Sequence, residues 1–190
     1  MRRGILGGTF DPPHMAHLVA GETARQQLSL DVVTFMPAGA PWQKAERAVT
    51  EPHHRWQMTM RAVDGIDYFE ADDREIRRDG WTFTIDTLLD FTNEDDLVLI
   101  LGADAAAGLP TWQRADEVVQ RATIAVMPRP GVERATVNIP GGRVVWLEAP
   151  ELAMSGTLIR AHRGEGRSIR FLVPEAVFTY IEEHELYRTP

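Results

Sequence analysis

Gly7-Gly8-Thr9-Phe10-Asp11-Pro12-Pro13-His14-Met15-Ala16-His17 is the stretch on which the reading of this 190-residue chain turns. It follows a short apolar run, Gly4-Ile5-Leu6, which reads as a buried first strand, and it precedes a helical pattern beginning near Met15. Two glycines, a hydroxyl and two histidines are therefore gathered at a strand-to-helix turn. Such a turn exposes backbone N–H groups, and the helix N-terminus carries partial positive charge, so the turn suits an anion, typically phosphate. His14 and His17 are spaced to project from one side of the helix start. The pairing suggests a site that holds a phosphate and stabilises charge on it.

Working outward, apolar β-branched runs alternate with helical patterns. That alternation predicts an α/β fold, a mainly parallel sheet with helices on both faces. Strands are expected at 3–7, 32–36, 69–71, 97–101, 123–127 and 143–147. Leu97-Val98-Leu99-Ile100-Leu101 is continuously apolar, as a strand covered on both faces should be. Helices are expected at about 15–28, 52–63, 83–91 and 115–121, and a last helix with Pro174 in its first turn. Ala16, Ala20 and Ala24 lie along one stripe of the first helix and predict close packing on the sheet. Ligands in open α/β sheets bind beyond the carboxyl ends of strands. The first turn, the loop 37–45 and the loop after Gly102 all follow strands and should converge on one crevice. The loop 37–45, rich in Pro, Gly and Ala, reads as a mobile binding loop.

Composition bounds the function. Hydrophobic residues make up 44% and charged residues 25%, an ordinary globular balance. The length suits a single domain, 1–190. The apolar runs are far too short to span a bilayer, and no basic segment followed by an apolar one opens the chain. The absence of cysteine excludes disulfides, thiolate nucleophiles and zinc–thiolate sites, and fits a cytoplasmic protein. A net charge of −8 argues against a general nucleic-acid binder. Anionic substrates must then be held by local cations against the overall field. His14, His17, Lys44, Arg55 and Arg160 are the candidates, whereas Arg74, Arg77 and Arg78 read as a solvated face.

The turn is neither the phosphate loop of common ATPases nor the Gly-x-Gly-x-x-Gly of hydride-transfer folds. A second constellation is Met154-Ser155-Gly156-Thr157-Leu158-Ile159-Arg160. Small and hydroxyl residues precede a helix there. Ser155 can cap it, or the helix start can face phosphates with Arg160 as an added cation. Third comes Leu101-Gly102-Ala103-Asp104 at a strand end, followed by Trp112. A carboxylate at Asp104 can accept hydrogen bonds from a ribose diol, and an indole can either pack in the core or stack on a flat ligand. Phe83-Thr84-Ile85-Asp86-Thr87 reads as a helix start.

The opening pattern Gly-Gly-Thr-Phe-Asp-Pro-x-His-x-x-His-Leu resembles the signature of the nucleotidylyltransferase superfamily. Within it, the chain looks most like bacterial nicotinate-mononucleotide adenylyltransferases. Ala16 stands where that family usually has Gly, and Met154 and Gly156 depart from its Ile-Ser-Ser-Thr-x-Ile-Arg element. The resemblance implies a Rossmann-like fold and transfer of AMP from ATP to nicotinate mononucleotide, giving deamido-NAD and pyrophosphate. It places His14, His17 and Arg160 in catalysis. Gly8, Thr9, Phe10, His17, Gly102, Asp104, Ser155, Thr157 and Arg160 would hold ATP, and Lys44, Thr84, Asp104 and Trp112 the acceptor. Mg²⁺ would come with the ATP phosphates, with no metal cage in the protein. The partners implied are small molecules, without nucleic acid or membrane, and a homo-oligomer is compatible. Two other readings stay open: a different adenylyltransferase, with phosphopantetheine or nicotinamide mononucleotide as acceptor, and a non-catalytic nucleotide sensor.

Overall fold

The computed structural model describes residues 1–40, 49–92 and 95–188. Its strands are β1 (Arg2–Gly8), β2 (Val32–Pro37), β3 (Phe69–Ala71), β4 (Asp96–Gly102), β5 (Thr123–Met127) and β6 (Val144–Trp146). They form one sheet in the order β3-β2-β1-β4-β5-β6, and every neighbouring pair is parallel. β1 and β4 run slightly longer than the sequence suggests, and β6 is shorter. The order reverses its direction of growth between β1 and β4, which is where a sheet of this kind opens a ligand crevice.

The helices are α1 (Met15–Leu28), α2 (Pro52–Val63), α3 (Arg74–Arg77), α4 (Thr84–Leu89), α5 (Ala103–Gly108), α6 (Ala115–Arg121), α7 (Gly156–Gly164) and α8 (Glu175–Glu183). α1, α2 and α6 occupy the residues expected of them. α4 is shorter than 83–91, with Phe83 as an extended N-cap and Asp90 as C-cap. Pro174 is the N-cap of α8 and not a first-turn residue; its ψ of 149 keeps it extended. α3 and α5 are too short to leave a periodic signal in the sequence.

Side chains sort to the two faces by the alternation of the strands. Leu97, Leu99 and Leu101 pack with Leu88 of α4, Ala106 of α5 and Val118 of α6. Val98 and Ile100 pack with Ala20 and Ala24 of α1 and Val63 of α2. The continuous apolar run of β4 is thus explained by cover on both sides. α1 meets the sheet through Ala20, Gly21 and Ala24. Ala16 is not part of that contact: it lies in the first turn, is only partly buried and lines the cavity described below. Gly21 supplies the close approach instead, since a Cβ there would stand 3.0 Å from the Phe35 ring and 3.1 Å from Phe69. A third cluster, including Met58, Ala62, Ile159, Val177 and Ile181, joins α2, α7 and α8. Among the described residues no helix is long and apolar enough to cross a membrane.

Candidate active site

A cavity of 470 Å³ opens at the carboxyl ends of the central strands, lined by Gly8 at the end of β1, Gly102 at the end of β4 and Met127 at the end of β5. The first turn forms one wall. Phe10 takes a left-handed φ of 48, a conformation that costs a non-glycine residue roughly 1–2 kcal/mol. Burial holds it there: Phe10 is 2% exposed and packs against Phe35 and the edge of His17. Gly8 leaves room for that ring, because a Cβ would lie 3.1 Å from it. The Asp11–Pro12 bond is cis.

His14 is the extended N-cap of α1 and is 3% exposed. Burial, with a smaller contribution from Arg129, pushes its imidazole down to about 4. At neutral pH it is therefore an uncharged hydrogen-bonding group, which corrects its reading as a cation. Its side chain faces the backbone N–H of His17 in a reciprocal capping arrangement at the start of α1. The backbone N–H of His14 donates to Nδ1 of His17 at 3.1 Å. A backbone N–H can only donate, so Nδ1 holds a lone pair and a neutral His17 ring carries its proton on Nε2. The two rings stack at 3.7 Å, and both line the cavity.

The start of α7 forms the facing wall. Ser155 caps it, its Oγ accepting the Leu158 N–H at 3.2 Å, and also lines the cavity, so the capping and site readings are compatible. Arg160 donates through Nη1 to the Asp11 carbonyl at 2.6 Å and through Nη2 to Thr157 Oγ1 at 3.3 Å. It also lies 3.7 Å from the Asp11 carboxylate. The Asp11 side chain is 2% exposed, and its carboxylate accepts the Tyr187 hydroxyl at 2.8 Å and the Thr50 N–H at 3.4 Å. Burial, with Asp11 adjacent, pushes the Tyr187 phenol up. The departure at Gly156 has a steric reason here: a Cβ would stand 2.7 Å from the Asp11 carbonyl oxygen.

Arg55 is not a ligand cation. It is 1% exposed and its guanidinium donates to the carbonyls of Thr50, Thr9, Ala38 and Gly39. It ties the loop after β1 to the loop after β2. Gly39 lies against α3 so tightly that a Cβ would stand 2.1 Å from the Glu75 carbonyl oxygen. Gly39→Ala should therefore destabilise the protein by roughly 1–3 kcal/mol, a fall of several degrees in Tm by calorimetry. An unchanged melting temperature would contradict this packing.

The remaining candidates lie around the same space. Thr9, Gly102, Asp104, Thr84, Trp112 and Thr157 all line the cavity. Asp104 faces Arg129, 3.4 Å from its Nε, and a Cβ at Gly102 would stand 2.7 Å from the Asp104 carboxylate. Trp112 packs against the core, yet its buried Nε1 has no partner among the described residues. Lys44 lies outside the described residues. Arg74, Arg77 and Arg78 are ion-paired with Asp72, Asp73 and Asp90. Arg129, Glu75 and Tyr187 are missed by the sequence reading. Arg129 sits just beyond β5, and position after a strand's carboxyl end is the one signal that could have flagged it.

Fold and cavity together define a Rossmann-like α/β protein with a ligand crevice beyond the carboxyl ends of its central strands. Residues 5–162 match the cytidylyltransferase-like family. A probable nicotinate-nucleotide adenylyltransferase from Thermoanaerobacter sp. is 40% identical over 200 residues, covering 99% of this chain and 95% of that protein. One from Salinibacter ruber is 41% identical over 195 residues, covering 99% and 98%. A solved structure of nicotinic acid mononucleotide adenylyltransferase from Plasmodium falciparum, complexed with NaAD, superposes with a TM-score of 0.81. It covers 98% of this chain and 97% of that chain at 17% identity, and shows the shared fold. The chain belongs to the cytidylyltransferase-like family, beside the nicotinate-nucleotide adenylyltransferases.

Proposed function

We propose that this chain transfers AMP from ATP to nicotinate mononucleotide, releasing pyrophosphate and forming deamido-NAD, a step of NAD biosynthesis. The observation that carries the reading is the meeting of α1 and α7 at one cavity, with His14, His17 and Arg160 on its walls. The attacking group is an ionised phosphate, so no protein nucleophile is needed. The work left to the protein is alignment and stabilisation of charge at the α-phosphorus. His17 and neutral His14 would donate hydrogen bonds to the ATP phosphates. Arg160 and the Ser155–Thr157 turn would hold the departing pyrophosphate, and Asp104 a ribose diol. Among the described residues no group of three or more His, Asp or Glu side chains is placed to hold a metal. Mg²⁺ would come with the ATP phosphates, where it offsets phosphate charge. A cytoplasmic location fits this substrate set.

Trp112 and Thr84 line the part of the cavity we assign to the pyridine ring. A carboxylate accepts hydrogen bonds at both oxygens, whereas an amide must donate from one end, so donors there favour the acid. Trp112→Ala should raise KM for nicotinate and nicotinamide mononucleotides by a similar factor, about tenfold, because stacking serves both rings alike. A change confined to one acceptor would remove the stacking role. The function is tested by pyrophosphate release with ATP and each of nicotinate mononucleotide, nicotinamide mononucleotide and phosphopantetheine. Turnover highest with the first supports the reading. Preference for another acceptor, or no release with any, overturns it.

A further inference from the structure

Glu75 is a buried carboxyl that the adenylyl-transfer chemistry does not use. It belongs to α3, is 8% exposed and lines the cavity beside Thr82, Phe83, Thr84 and Thr87. Thr87 donates its hydroxyl to Oε1 at 2.6 Å. Arg78 reaches Thr87 Oγ1 at 3.2 Å but commits its other nitrogen to Asp90 at 2.6 Å. Arg74 is likewise engaged by Asp72. Among the described residues no cation stands within ion-pair distance of Glu75. A buried carboxyl left in that state resists ionisation.

We propose that Glu75 sets the charge that the acceptor end of the cavity tolerates: uncharged, it admits a ring bearing a carboxylate, and ionised, it selects against that ring and spares the amide. This rests on the nicotinate reading above. Two carboxylates at one end of a cavity repel, and the low local dielectric strengthens the repulsion. A carboxamide carries no charge and its NH₂ can donate to an ionised Glu75. Burial pushes the Glu75 carboxyl up to about 7, with Asp72 adding to the rise and Thr87, Arg78 and Arg74 opposing it. The switch would then fall in the neutral range. An ordinary cavity-wall carboxylate would be charged throughout it.

The test is the ratio of kcat/KM for nicotinate over nicotinamide mononucleotide, measured from pH 6 to 8.5. Groups that act on the phosphates, such as His14 and His17, serve both acceptors and cancel in the ratio. In the unmodified enzyme the ratio should fall about tenfold across this range, carried by KM for the acid. Glu75→Gln should hold the ratio constant with pH. Thr87→Val removes a donor that favours the charged carboxyl, so it should move the fall to higher pH. A flat ratio in the unmodified enzyme, or the same fall persisting in Glu75→Gln, overturns the inference. Absence of transfer to nicotinate mononucleotide at every pH would instead overturn the nicotinate reading on which it rests.

Discussion

His17→Asn lowers turnover by roughly 10²–10³-fold while the protein stays folded: that is the expected result if His17 is a preorganised donor to the transition state. The choice of asparagine follows from the geometry. His17 Nδ1 accepts the His14 backbone N–H at 3.1 Å, so an alanine would lose two things at once. It would orphan a buried N–H at the start of α1, at a cost of about 1 kcal/mol, and it would remove the ring. Asparagine carries an oxygen close to the Nδ1 position and nothing at the Nε2 position. It should keep the helix start and lose the donor. Glutamine reaches further, towards the Nε2 position, and should retain more turnover than asparagine. Single-turnover rates separate the chemical step from ATP binding, which should weaken far less. Near-normal rates in a folded His17→Asn protein would remove His17 from the reaction. His14 completes the contrast. It is held neutral by burial, with its imidazole near 4, so it contributes hydrogen bonding and not charge at pH 7.

The sheet was legible because its strands are short apolar runs, β1, β2 and β4 ending in glycine or proline, and β4 is apolar on both faces. The first turn was legible because glycine, hydroxyl and histidine types there have few purely structural uses together. The third dimension of the site was not. Asp11 looks like a turn residue in the sequence, yet it draws together Thr50, Arg160 and Tyr187, which lie far apart in the chain. No local pattern encodes that meeting, since packing alone creates it. Arg55 shows the converse error. An arginine near a phosphate site invites a ligand role, but four backbone carbonyls consume its donors. Glu75 and Arg129 carry no motif signal because an isolated charged residue is usually solvated. Burial distinguishes Glu75, and a place on the cavity wall distinguishes both. Ala16 was misplaced by periodicity, which registers the stripe of a helix but not where the sheet beneath it ends.

Arg160→Met should lower kcat/KM for ATP by about ten- to a hundredfold and weaken inhibition by pyrophosphate by a similar factor. A charge-assisted hydrogen bond is worth roughly 1.5–3 kcal/mol, and this one would strengthen as charge moves onto the leaving group. Methionine keeps much of the apolar stem and removes the guanidinium, which limits the loss of packing. The guanidinium is already fixed: Nη1 is held by the Asp11 carbonyl at 2.6 Å and Nη2 by Thr157 Oγ1 at 3.3 Å. An arginine tethered in this way loses little further freedom on meeting a phosphate. The same tether predicts a second effect. Without Arg160 the Asp11 carboxylate keeps Tyr187 as a donor but loses a nearby cation, so some destabilisation should accompany the kinetic loss. Tyr187→Phe separates the two. It removes the Asp11–Tyr187 hydrogen bond and leaves the cation in the cavity, so it should lower Tm while pyrophosphate inhibition is preserved. If Arg160→Met leaves pyrophosphate inhibition intact, Arg160 is a clasp between α7 and the first turn and not a holder of the leaving group. If both variants weaken inhibition equally, the turn's position matters and not the guanidinium's charge.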